Sequence, residues 1–349
     1  MLIKELKLYN YRNYSRKNIT FDPKLNIIIG PNGIGKTNIL ESIIVVSNTK
    51  SFRTNNDQNL IKKDSEFSKI ELSSDTDRFK VVLGNKNRSL YINDVLIKKS
   101  SEFIGKLNAI LFKPNDLELF VQAPNERRKV LDIEISKVSQ SYIRSLLQYN
   151  YLLKEKNRLL KEPEVDEMLL ETINEQMIPL IKTILEERDY FFEVISRHLS
   201  SLYNEISASE SEIRIIYKKC CETADIANKL QEAKEKDFYY HYSTFGPHHD
   251  DYYFLMDGRE LNAIASQGQK RMSLIAFKFA LIKYIKDKIN KIPIVLLDDI
   301  LSELDRDNQE RLIGIMSEDA QVIITNTDIK GLNINKRYKL IDLKEEAHV

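Results

Sequence analysis

One stretch near the start of the chain constrains the fold more than any other, residues 25–44 with the sequence LNIIIGPNGIGKTNILESII. Its apolar beginning predicts a short buried strand, and the residues after Thr37 continue as an apolar helix. The segment between them fits the pattern G-x-x-x-x-G-K-[ST], with the residues Gly30, Pro31, Asn32, Gly33, Ile34, Gly35, Lys36 and Thr37. Strand, glycine loop and helix in this order are the context that a phosphate-binding loop requires.

The chemistry of such a loop explains its residue types. Glycines allow successive backbone N–H groups to turn toward phosphate oxygens, and the N-terminus of the following helix adds a favourable dipole. Lys36 would reach the β- and γ-phosphates of a nucleotide, and the hydroxyl of Thr37 would bind Mg²⁺. The alternative is an incidental Gly-rich turn, which would require neither the strand before it nor the helix after it.

Two carboxylates follow a second aliphatic segment far downstream. Residues 294–297 (IVLL) predict a buried strand, which ends in Asp298 and Asp299. Asp298 would hold Mg²⁺ directly or through water, and Asp299 could orient or deprotonate the attacking water. A solvated turn or a helix N-cap is the alternative for two adjacent aspartates. The phosphate loop upstream favours the catalytic interpretation, with Lys36 as the third member of the set.

Another aliphatic run, residues 322–325, predicts a further strand of a parallel sheet, with Thr325 and Thr327 at its end. Ligands bind at the carboxyl ends of the strands in open α/β sheets. Either threonine could therefore sense the γ-phosphate, or it could cap the segment that follows.

The chain is 349 residues long, which predicts two domains or one domain with a large insertion. From residue 126 onward, apolar residues recur at three- and four-residue spacing, which predicts two long amphipathic helices in an arm or helical domain. We expect a head made of 1–132 and 240–349 and a helical insertion over 133–239. Short strand patterns that predict a mixed β lobe over the phosphate-loop helix lie at 69–72, 79–83, 90–92 and 109–112.

The composition describes a soluble globular protein, because 42% of the residues are hydrophobic and 30% are charged. No uncharged run of 18 apolar residues occurs, so no membrane span is expected. The cysteines Cys220 and Cys221 are sequence neighbours and cannot join distant segments, which favours a reducing, cytosolic compartment. Histidines and aspartates meet at 248–251 (HHDD), but their spacing fits no standard zinc or iron site.

The net charge is only +1, but its distribution is uneven. Residues 1–63 contain eleven lysines and arginines against four aspartates and glutamates, a net charge of +7. A basic N-terminal lobe could hold the phosphate backbone of a nucleic acid. A solvated lysine-rich surface accounts for the same charges equally well.

The order of phosphate loop, helical insertion, Ser-Gln-Gly-Gln turn and Asp-Asp strand resembles the ATP-binding-cassette (ABC) class of ATPases. Within that class, the details are similar to the RecF family of bacterial recombination and repair proteins, nearly from end to end. The phosphate loop is shared by many families, whereas the Arg-Arg, Gly-Pro-His and Ser-Gln-Gly-Gln segments are more specific. The motifs are 11–14 (YRNY), 30–38 (GPNGIGKTN), 51–54 (SFRT), 114–119 (PNDLEL), 124–132 (PNERRKVLD), 245–248 (FGPH), 266–269 (SQGQ), 297–299 (LDD) and 302–305 (SELD).

The resemblance implies an α/β fold with an ABC-type ATPase head, a mixed β lobe and an inserted helical arm, and it implies ATP and Mg²⁺ as ligands. It implies ATP-dependent homodimerisation, in which the turn of one copy closes over the γ-phosphate bound by the other. The residues of that turn are Ser266, Gln267, Gly268 and Gln269. Arg12 is expected near the nucleotide phosphates. Hydrolysis is expected to be weak and stimulated by DNA, so that ATP serves mainly as a switch.

In the family, this cycle controls binding to single-stranded DNA and to linear or gapped double-stranded DNA. It acts with RecR and RecO to load the recombinase in repair and replication and to support the SOS response. The resemblance therefore implies a cytoplasmic, nucleoid-associated protein. Arg127 and Arg128 suit either structural ion pairing or DNA contact, and the sequence does not separate the two roles.

Four positions depart from the family pattern. Gln122 stands where glycine is usual, Asn115 replaces an acidic residue, His249 replaces an arginine, and Asn326 interrupts a threonine run. They affect the lobe surface and, for His249, one phosphate contact. The alternative function is that of a transport or signalling ATPase of the same class, although a transporter cassette normally carries a Gly-Gly signature. A GTPase is disfavoured because no N-K-x-D motif occurs.

Overall fold

The computed structural model describes residues 1–84, 87–301, 304, 306–316, 320–329, 334 and 336–344. The chain divides into two compact units. Unit 1 comprises 1–116, 205–208 and 274–349, and unit 2 comprises 117–204 and 209–273. The sequence predicted different bounds, a head of 1–132 and 240–349 and a helical insertion of 133–239. That division stays a prediction. No described helix combines the length and the apolar character needed to cross a membrane.

The strands are β1 (Ile3–Tyr11), β2 (Tyr14–Thr20), β3 (Leu25–Ile29), β4 (Phe67–Ser74), β5 (Arg78–Gly84), β6 (Arg88–Ile92), β7 (Val95–Ile97), β8 (Ala109–Phe112), β9 (Ile213–Lys218), β10 (Asp251–Met256), β11 (Arg259–Glu260), β12 (Ile294–Asp298), β13 (Val322–Asn326) and β14 (Lys339–Asp342). The helices are α1 (Lys36–Asn48), α2 (Ser100–Phe103), α3 (Pro124–Ser136), α4 (Gln140–Leu159), α5 (Glu167–Ser207), α6 (Ile226–Glu232), α7 (Lys234–Tyr240), α8 (Leu261–Ile264), α9 (Gln267–Ile289) and α10 (Arg306–Met316).

Unit 1 contains a five-stranded parallel sheet in the order β14-β3-β13-β12-β8. Every residue of β8, β12 and β13 is buried, as expected for parallel strands that are covered on both faces and are therefore continuously apolar. The strands predicted at 294–297 and 322–325 are confirmed as parallel neighbours. Their carboxyl ends, where Asp298 and Thr325 lie, meet at one edge of the sheet.

The second sheet of unit 1 is antiparallel, in the order β2-β1-β4-β5-β6-β7. Its strands alternate between buried and exposed residues, as one-sided sheets do. Helix α1 shares a single hydrophobic core with residues of both sheets, which explains why it is apolar around most of its circumference. Of the four short strands predicted between residues 68 and 112, three belong to this sheet. The fourth, β8, pairs with β12 in the parallel sheet, because its unbroken apolar sequence suits burial on both faces.

Unit 2 is built mainly from helices. The two long helices predicted after residue 126 are confirmed as α4 and α5, which lie on either side of the break at 161–164. Tyr142, Tyr149 and Leu152 lie on the buried face of α4, consistent with its amphipathic spacing. A three-stranded antiparallel sheet in the order β11-β10-β9 completes the unit and has no counterpart among the sequence predictions.

Candidate functional site

The predicted phosphate loop connects β3 to α1 and has the backbone that such a loop needs. Gly35 is the N-cap of α1 at φ 116°, and Gly33 has φ 82°, so both occupy conformations that favour glycine. At Gly35 a Cβ atom would also lie 2.6 Å from the hydroxyl of Tyr14 and 2.8 Å from the amide of Asn13. No side chain caps this helix end, so its first N–H groups can bind an anion.

Lys36 lies against the loop that precedes it. Its Nζ donates to the carbonyl oxygens of Gly30 at 2.6 Å and Pro31 at 3.2 Å, and the side chain is largely buried. Burial lowers the pKa of Lys36, and the nearby carboxylates of Asp299 and Asp298 counteract that effect. The ammonium group is therefore held at the loop by carbonyl oxygens, a position from which it can exchange them for phosphate oxygens.

The strand-end aspartate and the loop threonine are in direct contact. Thr37 Oγ1 donates to Asp298 Oδ1 at 3.0 Å, and Thr325 Oγ1 donates to the same oxygen at 2.8 Å. Burial raises the pKa of Asp298, whereas these two hydrogen bonds lower it. Thr325 is 1% exposed, so it orients Asp298 rather than facing a ligand, whereas Thr327 is exposed.

Asp299 follows at φ 54°, and its backbone N–H donates to the carbonyl oxygen and the hydroxyl of Thr325 at 3.3 and 3.2 Å. Together with Asp298 and the loop it borders a cavity of about 290 Å³. The remaining lining residues are Asn32, Gly33, Gly35, Lys36, Thr37, Asn38 and Arg53.

The residues at this cavity fit Mg²⁺, which prefers oxygen ligands and keeps several waters while it binds one or two carboxylates and substrate phosphates. Asp298 and Thr37 supply two adjacent oxygen atoms, beside a helix end that suits phosphate. No cluster of three or more acidic, histidine or cysteine side chains suited to a metal occurs in the described ranges. The pair thus has the chemistry of a donor set for a metal held jointly with a nucleotide.

Three polar residues around the loop were not assigned a role from the sequence. Asn13 Nδ2 donates to the carbonyl oxygen of Ile34 at 2.7 Å, and Asn38 Nδ2 donates to Asn13 Oδ1 at 2.8 Å. Arg53 Nη1 donates to Asn38 Oδ1 at 2.9 Å and lines the cavity. Their only signal in the sequence was membership of the motifs at 11–14, 30–38 and 51–54.

Arg12 is engaged with the protein itself. Its guanidinium donates two hydrogen bonds to the buried carboxylate of Glu41, at 2.8 and 2.6 Å, and a third to the carbonyl oxygen of Asn59 at 2.7 Å. The hydrogen bonds that Arg12 donates to Glu41 raise the pKa of Arg12. Glu41 also accepts from the hydroxyl of Ser51 at 2.6 Å. Arg12 does not line the cavity, and its contact with nucleotide phosphates stays a prediction.

The Ser-Gln-Gly-Gln turn lies in unit 2 and begins helix α9. The backbone N–H of Ser266 donates to Gln269 Oε1 at 2.9 Å, and the N–H of Gln269 donates to Ser266 Oγ at 3.2 Å. This reciprocal arrangement is a capping box. Ser266, Gln267 and Gly268 are exposed. In the motif at 302–305, Ser302, Glu303 and Asp305 lie outside the described residues.

Arg127 and Arg128 both contact acceptors of the protein itself, Arg127 in an ion pair and Arg128 at a backbone carbonyl. Arg127 forms a bidentate ion pair with Asp251, at 2.8 and 2.6 Å, and Arg128 donates to the carbonyl oxygen of Asp250 at 2.6 Å. The carboxylate of Asp250 in turn pairs with Arg188 at 2.5 Å, where both side chains are 1% exposed. The specific motifs at 124–132 and 245–248 thus flank a buried ionic network within unit 2.

The basic residues of the first 63 positions do not form one uniform surface. Lys36 belongs to the phosphate loop, Arg12 pairs with Glu41, and Lys7 pairs with Glu5 at 2.9 Å. A nucleic-acid surface and an ordinary solvated surface therefore both remain compatible with the charge distribution.

Comparisons with known proteins agree with the geometry. A family model described as the RecF/RecN/SMC N terminal domain matches residues 2–347. The DNA replication and repair protein RecF of Lachnoclostridium phytofermentans is 35% identical over 345 residues, which cover 97% of this chain and 95% of that protein. The protein of the same name from Bacillus subtilis is 33% identical, over 95% of each chain.

Solved structures give the same result. A structure of the recombination mediator protein RecF with ATP, in the RecFOR pathway, has a TM-score of 0.88 at 29% identity and covers 95% of this chain and 93% of that one. An Smc head domain from Pyrococcus furiosus has a TM-score of 0.54 at 19% identity, over 94% and 90% of the two chains, and shows similarity of fold alone.

The parallel sheet, the phosphate loop and the strand-end aspartates, with the match to the RecF/RecN/SMC family model, define an ATPase head of the ABC and SMC class with an added helical unit. Nearly the whole chain aligns with one branch of that class. This chain belongs to the RecF family of DNA replication and repair proteins.

Proposed function

We propose that this protein is an ATP-dependent DNA-binding protein of recombinational repair and replication. It dimerises on ATP at junctions of single- and double-stranded DNA, cooperates with mediator proteins of the RecR and RecO type to load recombinase, and supports the SOS response. Family membership supports the pathway. The observation that carries the nucleotide switch is the contact between Thr37 and Asp298 beside Lys36, at the uncapped start of α1. The protein would act in the cytoplasm, at the nucleoid.

Four side chains at the cavity have a defined task in this proposal. The N–H groups at the start of α1 and the ammonium group of Lys36 bind phosphate oxygens of ATP. Thr37 and Asp298 would hold Mg²⁺, which neutralises phosphate charge when bound. Asp299 borders the same cavity and orients or deprotonates the attacking water. Hydrolysis to ADP and phosphate would then reset the switch.

The exposed turn at Ser266 supports a dimeric cycle. Its side chains form a rigid helix cap, yet three of its four residues face solvent. In a two-fold dimer, each copy would close its turn over the γ-phosphate bound by the other, so two identical sites form together. ATP would favour this dimer because it contacts both copies only there, and loss of the γ-phosphate would release it.

Substitution of the loop lysine tests the function. With ATP and Mg²⁺, the wild-type protein should retain gapped duplex DNA, and Lys36→Ala should lose that ATP-dependent retention. Lys291→Ala removes an exposed lysine that precedes β12, outside the cavity, and should behave as wild type. Undiminished retention by Lys36→Ala contradicts the proposal. Turnover of ATP that is unchanged by any DNA, without retention, points to the transport or signalling alternative.

A further inference from the structure

Unit 2 contains a second open cavity, of about 880 Å³, bordered by α6, α7 and the segment that follows them. Three tyrosines at this cavity are strongly exposed: Tyr239 by 78%, Tyr240 by 53% and Tyr242 by 46%. Neighbouring residues on a helix point in different directions, so a run of aromatic residues at 239, 240 and 242 cannot be explained by one buried face. The nucleotide cavity does not use them.

A buried ion pair fixes the backbone that carries these tyrosines. Asp237 and Lys156 are each at most 1% exposed, and Lys156 Nζ lies 2.8 Å from Asp237 Oδ2. The other oxygen of Asp237 accepts hydrogen bonds from the backbone N–H and the hydroxyl of Thr244, at 2.6 and 2.7 Å. Asp237 therefore joins α7, α4 and the segment after α7.

Two further contacts hold the segment between the tyrosines. His241 ends α7 in the left-handed conformation, and its Nδ1 lies 3.0 Å from the carbonyl oxygen of Leu160. The backbone N–H of Ser243 donates to Asn157 Oδ1 at 2.7 Å. The tyrosines are thus displayed on an anchored scaffold, and such preorganisation is what a binding site requires.

The chemistry of the lining narrows the choice of ligand. Tyrosine rings dominate it, with Lys229 and Lys236 among them, and Ala233 is its one aliphatic residue among those described. Protein interfaces are also enriched in tyrosine, so the lining alone suits more than one class of ligand. Exposed aromatic rings are typical of sites that stack the bases of single-stranded nucleic acids, and the DNA-binding function proposed above favours that ligand here.

We propose that this cavity binds unpaired nucleobases of single-stranded DNA by stacking them on Tyr239, Tyr240 and Tyr242. The proposal rests on the DNA-binding function proposed above and assigns the single-stranded side of a junction to unit 2. Lys229 pairs with Glu232 at 2.6 Å, and Glu235 also lines the cavity, so the local charges largely cancel. Stacking rather than phosphate attraction would supply the binding free energy.

The test compares full-length variants on a fluorescent oligo(dT) and on an abasic strand of the same length. Tyr239→Ala/Tyr242→Ala should bind oligo(dT) at least about 30-fold more weakly, since stacking is worth about 1–3 kcal/mol per base and two rings are removed. The variant Tyr239→Phe/Tyr242→Phe keeps the aromatic rings and should bind oligo(dT) as tightly as wild type. Tyr151→Ala, which removes an equally exposed tyrosine of the same unit that does not line the cavity, is the matched control.

The outcomes separate this site from the function on which it rests. The wild-type protein should bind the abasic strand as weakly as the double alanine variant binds oligo(dT). The ratio of the oligo(dT) affinities of wild type and variant should change little with salt concentration. If wild type and the double alanine variant bind oligo(dT) equally, the proposed site is wrong. The same result is expected if the tyrosines contact a protein partner instead of DNA. If ATP-dependent retention of gapped duplex persists in that case, the proposed function stands. If the wild type retains no DNA, that function fails.

Discussion

The hydroxyl of Thr37 donates a hydrogen bond of 3.0 Å to the carboxylate of Asp298, although 261 residues separate them in the sequence. The contact joins the first turn of α1 to the end of β12. It is possible because β3 and β12 lie in one parallel sheet, with β13 between them, so that their carboxyl ends share an edge. The sheet thereby brings together, from two distant segments, the two side chains that we propose as metal ligands.

Removal of the charge of Asp298 should separate metal binding from folding. Asp298→Asn keeps the oxygen that accepts from Thr37 and Thr325, so thermal stability should change little. The loss of an anionic ligand should weaken nucleotide binding in Mg²⁺ by at least about tenfold, with little effect in EDTA. Titration with a fluorescent ATP analogue in both conditions measures this, with Asp287→Asn as an exposed control. An unchanged response to Mg²⁺ would remove Asp298 from the metal site.

Substitution of Arg12 should affect stability before it affects nucleotide binding. Glu41 is fully buried, and Arg12→Ala would leave its carboxylate without the bidentate partner. Breaking a buried pair in this way costs about 3 kcal/mol or more. Urea unfolding without nucleotide should show that loss. Arg53→Ala should show less, because Arg53 donates to Asn38 and approaches the carboxylate of Glu41 only to 3.9 Å. Normal stability together with weakened ATP binding would show that Arg12 acts on phosphates instead.

The sequence predicted those parts of the site that are contiguous. The phosphate loop is defined by six loop residues and its two flanking elements, so local patterns suffice to place Lys36 and Thr37. The aspartates after β12 could be paired with the loop because parallel strands end at a common edge. The role of Asn13 could not be read in the same way, since its contact with Ile34 depends on how the β1–β2 turn approaches the loop.

The remaining differences also have physical causes. A short apolar run such as β8 could belong to either sheet of unit 1. Its pairing with β12 places it in the parallel sheet, and that pairing is not visible in the local sequence. The aromatic cluster before Gly246 gave no signal of exposure, because tyrosine occurs in cores and on binding surfaces alike. Its outward direction follows from the buried contacts of Asp237, which involve Lys156 and Thr244.

The half-buried imidazole of His248 should make unit 2 sensitive to mild acid. Its Nδ1 lies 2.5 Å from the hydroxyl of Tyr149, and its Nε2 lies 3.2 Å from the carbonyl oxygen of Ser243, so the neutral ring has both partners. Burial lowers the pKa of His248 to about 4, from 6.5. The folded protein therefore binds fewer protons than the unfolded chain between these values, and its stability should fall as pH decreases from 6.5 toward 4.

Replacement of the ring tests this dependence. His248→Gln keeps polar atoms near Tyr149 and Ser243 but does not titrate, so its stability should fall less over the same pH range. The loss attributable to the wild-type imidazole should be on the order of 2–3 kcal/mol between pH 6.5 and 4. Urea unfolding at pH 7.5, 6, 5 and 4.5 measures the free energy of unfolding of both proteins. His198→Gln is the control, because it makes the same substitution at another histidine. Parallel pH profiles for wild type and His248→Gln would show that His248 does not carry the acid sensitivity.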